Sequence, residues 1–176
     1  MEAINFENVG NVRDIKLLKN LIKVILSNRG SLGKTEIVKL CFLIDKKYAD
    51  TNKEPEGLTT TTYVKYFYGP YSEAFQKALE QLEQEGWIAN EAESSILHKY
   101  EYVMKRKVES NLFNSDIPIS VIKQVLEETR GKTLSDIKKI AYSYKEVKEA
   151  EFGKEIKLMW DNSNGIVSFS KMEKSI

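Results

Sequence analysis

Apolar residues recur at helical spacing through most of this sequence and at strand spacing over two short stretches. After Asp14 the apolar stripe predicts a first helix, and Gly30 suits its C-terminal end. A second helix is predicted over about 34–49, and apolar residues surround it almost completely, which is typical of a helix at the centre of the packing. The two stripes consist of Ile15, Leu18, Ile22, Ile25, Ile37, Leu40, Cys41, Ile44 and Tyr48.

Residues 63–88 predict a strand, a sharp turn and a helix in direct succession. The aromatic strand extends to Tyr68, and Gly69 is suited to the change of direction that follows. Pro70 is predicted to open the helix, because a first helical turn does not need the N–H that proline lacks. Gly86 stands where a C-cap glycine belongs. The segment carries no visible catalytic group, so we expect a scaffold with an exposed polar face.

Two further strands are predicted over 87–91 and 96–104, and the second alternates apolar and polar residues. The succession of two helices, a strand, a helix and a two-stranded hairpin resembles a winged helix-turn-helix. In that interpretation the helix after Pro70 is the recognition helix, and residues 88–104 form the wing.

Two more helices are predicted towards the C-terminus. Pro118 begins a helix that ends at Gly131, and Thr133 with Asp136 fits a capping box at the start of the next helix. The periodicity then fades, and a short strand over 166–169 or a mobile end are both open.

The predicted fold class is α+β and predominantly helical, with a small antiparallel sheet or hairpin and a winged-helix-like middle third. We expect a single domain over residues 1–176. Its parts are a core over 14–104, a helical pair over 116–150 packed on that core, and a loosely held tail over 157–176.

The composition is that of an ordinary globular protein. The 176 residues are 41% hydrophobic and 30% charged, and the net charge of +1 gives no overall attraction to nucleic acid or to an anionic membrane. One cysteine allows no intramolecular disulfide. The N-terminus does not look like a signal peptide, and no apolar run approaches the ~20 residues of a membrane span. We therefore expect a soluble, cytoplasmic protein.

The segment Asn28 to Thr35 imitates a phosphate-binding P-loop, because it ends in Gly-Lys-Thr. A P-loop also requires a glycine at the position of Asn28 and a strand before the loop. Residues 15–26 have a helical period instead. We interpret Ser31-Leu32-Gly33-Lys34 as a tight connection between two helices.

The single cysteine and the single histidine do not form a recognisable site. A zinc ion needs about four ligands, and a second Cys or His is absent. Cys41 lies on an apolar helix face, where a buried, inert thiol is usual, and His98 lies on the apolar side of a strand. The sequence therefore predicts no metal, no cofactor and no enzymatic activity.

Charge argues against DNA reading by the helix after Pro70. Residues 71–86 contain four glutamates and one lysine, a net charge of −3, and phosphates would repel such a surface. Basic residues cluster instead at the end of the predicted wing, at Lys99, Lys105, Arg106 and Lys107. A basic strand end usually serves as a solvated edge that discourages aggregation.

The aromatic residues from Tyr63 to Tyr71 have two interpretations. They can pack into the core, with their hydroxyl groups reaching the surface. Alternatively, an exposed subset can anchor a protein partner, because tyrosine is enriched at interface hot spots.

The segments LGKTEIVKLCFLIDKKYAD and YVKYFYGPYSEAFQKALEQLEQEGWI combine a Lys-Leu helix, an aromatic strand, a Tyr-Gly-Pro turn and a helix that ends before glycine. Together they resemble the Panacea, or SocA-like, antitoxin domain of prokaryotes and their phages. The resemblance covers residues 31–90 and extends weakly into 133–156. The matching residues are Lys39, Leu40, Tyr48, Tyr68, Gly69, Pro70 and Gly86.

This resemblance implies a protein-binding role without catalytic residues. Members of the family neutralise a cognate toxin by direct contact, and some deliver it to a protease. The acidic helix face suits a partner with a basic surface. The expected partner-binding residues are Tyr66, Tyr68, Pro70, Tyr71, Glu73, Lys77 and Glu80.

The alternative function is a winged-helix transcription regulator, expected to be dimeric. It would use the basic wing end, at Lys99, Lys105, Arg106 and Lys107, rather than the acidic helix.

Overall fold

The computed structural model describes residues 10–92, 100–109, 112–113 and 116–158. The helices within these ranges are α1 (Ile15–Arg29), α2 (Lys34–Asn52), α3 (Ala74–Gln84), α4 (Asp116–Glu128), α5 (Leu134–Ser143) and α6 (Lys145–Glu149). The strands are β1 (Ser31–Leu32), β2 (Tyr63–Tyr66), β3 (Gly69–Tyr71), β4 (Ile88–Asn90), β5 (Tyr102–Met104) and β6 (Glu155–Ile156). The fold is α+β and predominantly helical, as the sequence predicts.

Helix α1 begins and ends where the apolar pattern predicts. The Asp14 carboxylate accepts a hydrogen bond from the backbone N–H of Lys16 at 3.0 Å, and the N–H of Gly30 donates to the carbonyl of Leu26 at 2.9 Å. A P-loop requires a strand before its glycines, and α1 occupies that place. The fully buried residues of α1 are Leu18, Leu21, Ile22, Ile25 and Leu26.

Helix α2 lies at the centre of the packing, as its all-round apolar sequence indicates. It contacts α1, α4, α5 and β3. It also buries three charged side chains, those of Lys39, Asp45 and Lys46. The Lys46 ammonium is balanced by Asp50 at 2.5 Å and by Glu146 of α6 at 3.1 Å, so this ion pair ties α2 to the C-terminal helices.

The first sheet has the strand order β1-β5-β4, with antiparallel pairs throughout. Sequence reasoning predicted the β4–β5 hairpin, although it treated residues 31–34 only as a tight connection. Those residues contain β1, whose Leu32 lies opposite Tyr102. Strand β1 lies between the first two helices and pairs with the hairpin that follows α3. This pairing completes the winged-helix-like arrangement.

The second sheet has the order β3-β2-β6 and corrects the prediction for the Gly69-Pro70 turn. Pro70 does not open a helix. It lies in β3 opposite Lys65, while Gly69 lies opposite Tyr66, so the segment folds back as a hairpin. Proline is tolerated here because β3 is an edge strand, whose outer side needs no N–H donor. Strand β6, which the sequence did not reveal, pairs with the other side of β2.

Helix α3 starts four residues after Pro70, at Ala74, and ends at Gln84, just before the predicted terminating glycine Gly86. At its start, the Ser72 hydroxyl accepts a hydrogen bond from the N–H of Ala74 at 3.3 Å. At its end, the N–H of Gly86 donates to the Glu83 carbonyl at 3.0 Å and that of Trp87 to the Leu82 carbonyl at 2.9 Å. These two bonds form a Schellman motif, which requires the positive φ of +75° at Gly86.

The C-terminal segment contains three helices, α4, α5 and the short α6, where the sequence predicts two. Helix α4 begins two residues before Pro118, which lies in its first turn. The capping box at α5 is present, because Thr133 and Asp136 exchange side-chain-to-backbone hydrogen bonds at 3.2 and 3.0 Å. The predicted strand over 166–169 and most of the predicted tail lie outside the described residues, as do His98 and Lys99. No helix in the described ranges is long and apolar enough to cross a membrane.

Candidate interaction surface

Aromatic side chains at the tip of the β2–β3 hairpin lie beside Phe152, which precedes β6, and we call this group the aromatic cluster: Tyr66, Phe67, Tyr68, Tyr71 and Phe152. The Tyr66 ring contacts those of Phe67, Tyr71 and Phe152, and Tyr68 follows Phe67 at the turn. The ring centroids of Phe67 and Phe152 are 4.9 Å apart, and those of Tyr66 and Phe152 are stacked at 5.5 Å. Phe67 is 69% exposed, Tyr68 65% and Phe152 44%. These are three of the four large hydrophobic side chains that are exposed in the described part of the chain.

The aromatic stretch is divided between the core and the surface, and a role in binding a partner stays a prediction. Tyr63, at the start of β2, is fully buried and belongs to the core, with its ring 5.2 Å from that of Phe42. Phe67 and Tyr68, at the turn, are exposed. The division follows the hairpin, because the strand enters the core at one end and reaches solvent at the other.

The exposed tip is fixed to the helices behind it by hydrogen bonds to its backbone. Lys39 of α2 donates to the Pro70 carbonyl at 2.5 Å, and the hydroxyl of Tyr142 in α5 donates to the Phe67 carbonyl at 3.3 Å. Gly69 has a φ of +90°, and an added Cβ there would lie 3.1 Å from the Tyr142 ring. The predicted contact residue Pro70 is buried, so it supports the surface from behind.

Asp45 anchors the base of the same hairpin. Its fully buried carboxylate accepts hydrogen bonds from the Thr59 N–H at 2.8 Å, the Thr59 hydroxyl at 2.6 Å and the Tyr63 hydroxyl at 2.7 Å. Burial raises the pKa of Asp45 to about 6, although these donors favour the charged form and lower it. The loop after α2 and the first residue of β2 are thereby attached to the central helix.

A cavity of about 260 Å³ lies between α2 and the inner side of the aromatic cluster. The residues that form most of its wall are Lys34, Val38, Lys39, Tyr66, Tyr68 and Tyr71. Burial, with a smaller contribution from the charge on Lys138, lowers the pKa of Lys39 to about 7. Sequence reasoning noted Lys39 as a motif residue and did not foresee that it would be buried.

The exposed side of α3 is acidic, as the sequence predicts. Ala74, Phe75, Ala78, Leu79 and Leu82 face the core. Glu73, Lys77, Glu80, Glu83 and Glu85 are exposed. Glu73 adjoins the aromatic cluster, since its charge contributes to the raised pKa of Tyr71, which burial chiefly causes. The start of the acidic side of α3, at Glu73, therefore lies beside the aromatic cluster.

The basic end of the wing is engaged in contacts within the chain. Lys105 forms an ion pair with Glu91 at 2.8 Å, and the Arg106 guanidinium lies 3.9 Å from the centroid of the Trp87 ring. Lys23 of α1 approaches the same ring at 4.1 Å. Lys107 is exposed.

The described residues offer no site for metal or thiol chemistry. They contain no group of three or more His, Cys, Asp or Glu side chains that could hold a metal ion. Cys41 is fully buried, and burial together with the charge of Asp45 raises the pKa of its thiol well above the usual value. A thiol of that kind does not supply the thiolate that nucleophilic chemistry needs.

No family model matches the chain, and no curated protein matches it at a significant level.

Proposed function

We propose that this protein is an interaction module of the antitoxin type, which neutralises a partner protein by binding it directly. The observation that supports this function is the aromatic cluster, where Phe67, Tyr68 and Phe152 share an exposed patch. Solvent exposure of neighbouring large aromatic side chains is unusual on a monomer and marks interaction sites. The hydrogen bonds from Lys39 and Tyr142 hold the patch in place before binding, which lowers the entropic cost of association.

The acidic side of α3 supplies the second half of the proposed surface. Aromatic anchors provide most of the binding energy at protein interfaces, whereas surrounding charges act mainly on specificity and association rate. We therefore propose a partner with an apolar socket for the aromatic cluster and basic residues that face Glu73, Glu80 and Glu83.

The proposal is tested with the protein encoded by the neighbouring gene. Co-expression should restore growth if that protein is toxic, and the two purified chains should form a complex in isothermal titration calorimetry. Phe67→Ala and Phe152→Ala should each weaken binding at least about tenfold, because each removes an anchor worth more than about 1.4 kcal/mol. Reversing Glu73, Glu80 and Glu83 to lysine should lower the association rate and its salt dependence.

A matched control reverses three exposed acidic residues on other parts of the molecule, Glu54, Glu109 and Glu127. That variant should bind like the unchanged protein. The proposal would be refuted if no complex formed, or if the Phe67 and Phe152 variants bound with unchanged affinity.

A second candidate function is DNA binding, and the observation that favours it is the β1-β5-β4 order of the winged-helix-like sheet. The contacts of Lys105 and Arg106 and the net charge of −3 over residues 71–86 weaken this candidate. A mobility-shift assay on duplex DNA separates the two functions. Binding at low salt that declines steeply as salt rises would favour the regulator, and no binding at low salt would exclude it.

A further inference from the structure

The cavity behind the aromatic cluster is a feature that the proposed protein interface does not require. Its volume is about 260 Å³, and α2 and the β2–β3 hairpin provide its walls. Binding pockets for drug-sized molecules are typically about 300–1,000 Å³, so this cavity has room for a compact ligand.

The polar side chains that line the cavity are those of two lysines, three tyrosines and Thr35, and the Lys34 ammonium donates a hydrogen bond to Gln76 of α3. Lys39 and Lys34 both belong to the wall, and no carboxylate is among the described residues that form it. Lys138 of α5 lies at the edge, with its ammonium 4.9 Å from the centroid of the Tyr68 ring. Glu80 of α3 acts on Lys34 from outside the wall, but burial has the larger effect and lowers the pKa of Lys34.

Burial of the Lys39 ammonium group costs free energy of hydration. Its side chain is only 2% exposed, and its ammonium group donates to the Pro70 carbonyl, which uses one of three possible hydrogen bonds. A buried ammonium without a carboxylate partner destabilises a fold, and a lysine with such a lowered pKa that lines a cleft is a candidate binding residue.

We propose that this cavity binds a small organic anion, with its carboxylate at Lys39 and Lys34. The rings of Tyr66, Tyr68 and Tyr71 would enclose the apolar body of the ligand, since aromatic walls favour flat apolar groups. This site goes beyond the proposed partner binding and does not depend on it.

Binding at this site is linked to protonation of Lys39. The pKa of Lys39 is about 7, chiefly because of burial, and the charge of Lys138 also lowers it; Lys34 lines the same cavity. At pH 8 most of the Lys39 population is neutral, and a bound carboxylate favours the charged form. Each ligand should therefore take up close to one proton at this pH.

The test uses benzoate as the probe, with the complete chain. Calorimetric titrations at pH 8 in buffers of different ionisation enthalpy measure the affinity and the number of protons taken up. Benzoate should bind with proton uptake, and benzamide, its neutral counterpart, should bind at least about tenfold more weakly. Inorganic phosphate, which carries charge without a ring, should also bind at least about tenfold more weakly than benzoate.

The matched variants are Lys39→Met and Lys139→Met, of which the second changes an exposed lysine next to Lys138. Methionine is one atom shorter than lysine and removes both the charge and the hydrogen bond to the Pro70 carbonyl, so circular dichroism is used to check that Lys39→Met is folded. The affinity of Lys39→Met for benzoate should be at least about tenfold lower than that of the unchanged protein, whereas Lys139→Met should bind benzoate with unchanged affinity. The proposal is wrong if benzoate does not saturate a site, if benzamide or phosphate binds equally well, or if folded Lys39→Met retains the affinity.

Discussion

Asp45 shows how one buried carboxyl group can organise a loop and set a pH dependence. Its three hydrogen-bond donors come from Thr59 and Tyr63, which lie 14 and 18 positions further along the chain. Those donors stabilise the charged form, yet burial outweighs them and raises the pKa to about 6 from 3.8. The group is therefore protonated in the folded state at a pH where it is ionised in the unfolded chain.

This pKa predicts that Asp45 contributes a stability that declines with rising pH. Below pH 4 the carboxyl group is protonated in both states and its contribution is complete. Between about pH 4 and pH 6 the folded protein binds more protons than the unfolded chain, so the free energy of unfolding falls, by roughly 3 kcal/mol in total. The measurement is urea unfolding from pH 3.5 to 7.5 for the unchanged protein and for Asp45→Asn.

At each pH, the free energy of unfolding of Asp45→Asn is subtracted from that of the unchanged protein. This subtraction removes the contribution of the other carboxylates, which titrate in both proteins. The difference should decrease across pH 4 to 6 and be flat above pH 7. A difference that stays constant over the whole range would contradict the pKa assigned to Asp45, whatever its absolute size.

Among the elements, the β2–β3 hairpin is the part that sequence reasoning described least well. A glycine-proline pair after an aromatic strand is compatible with a helix start and with an edge strand, because both tolerate the missing N–H. Two hydrogen bonds between residues distant in sequence stabilise the edge strand rather than a helix start. They run from Lys39 to the Pro70 carbonyl and from Tyr142 to the Phe67 carbonyl. Such contacts leave no periodic signal along the chain.

Other elements were predictable because their signals are local. The caps at Asp14 and Gly86 and the capping box at Thr133 involve neighbours within a few residues, and each is present. Strand β6 has only two residues and therefore no periodicity to detect. For the candidate site, the acidic residues of α3 were predictable, whereas Phe67, Phe152 and the buried state of Lys39 depend on how the hairpin packs.

Gly69 and Gly86 allow the energetic cost of backbone strain to be separated from the cost of a steric contact with Tyr142. Gly69 and Gly86 have similar positive φ values, +90° and +75°. An added Cβ would touch the Tyr142 ring at Gly69 and would meet nothing within 4 Å at Gly86. Gly86→Ala should therefore cost about 1 kcal/mol from backbone strain alone, and Gly69→Ala about 2–3 kcal/mol.

Thermal unfolding of the two alanine variants measures this difference. If Gly69→Ala and Gly86→Ala lowered the free energy of unfolding equally, the close approach of Gly69 to Tyr142 would not contribute to stability. The hairpin would then be less firmly attached to α5 than its geometry indicates.

In the whole molecule, segments from both ends of the described chain meet at the hairpin region. The carbonyl of Asn11 accepts a hydrogen bond from the Thr62 N–H at 2.7 Å, just before β2. At the other end, β6 pairs with β2, and Ile156 lies opposite Tyr63 with 2% of its surface exposed. The candidate site is thus supported by residues that are far apart in the sequence.

This arrangement predicts that a single residue of β6 stabilises the whole fold. Ile156→Ala removes buried methyl and methylene groups and should cost about 2–4 kcal/mol, lowering Tm by roughly 5–10 °C. The neighbouring residue Glu155 is exposed, and Glu155→Ala should change the stability by less than about 0.5 kcal/mol. Calorimetry of both variants checks the prediction, and an unchanged Tm for Ile156→Ala would show that β6 is dispensable.

Tyr66, Tyr68 and Tyr71 belong both to the aromatic cluster and to the wall of the cavity behind it. Two ligands that share side chains cannot bind independently, so the occupancy of the cavity and the affinity for a partner are thermodynamically coupled. If an anion behind the rings changes the partner's affinity by some factor, the partner must change the anion's affinity by the same factor. In a module of this kind, the affinity for the protein partner would depend on the concentration of a small anion. The shared tyrosine side chains would couple the two binding events without a change of fold.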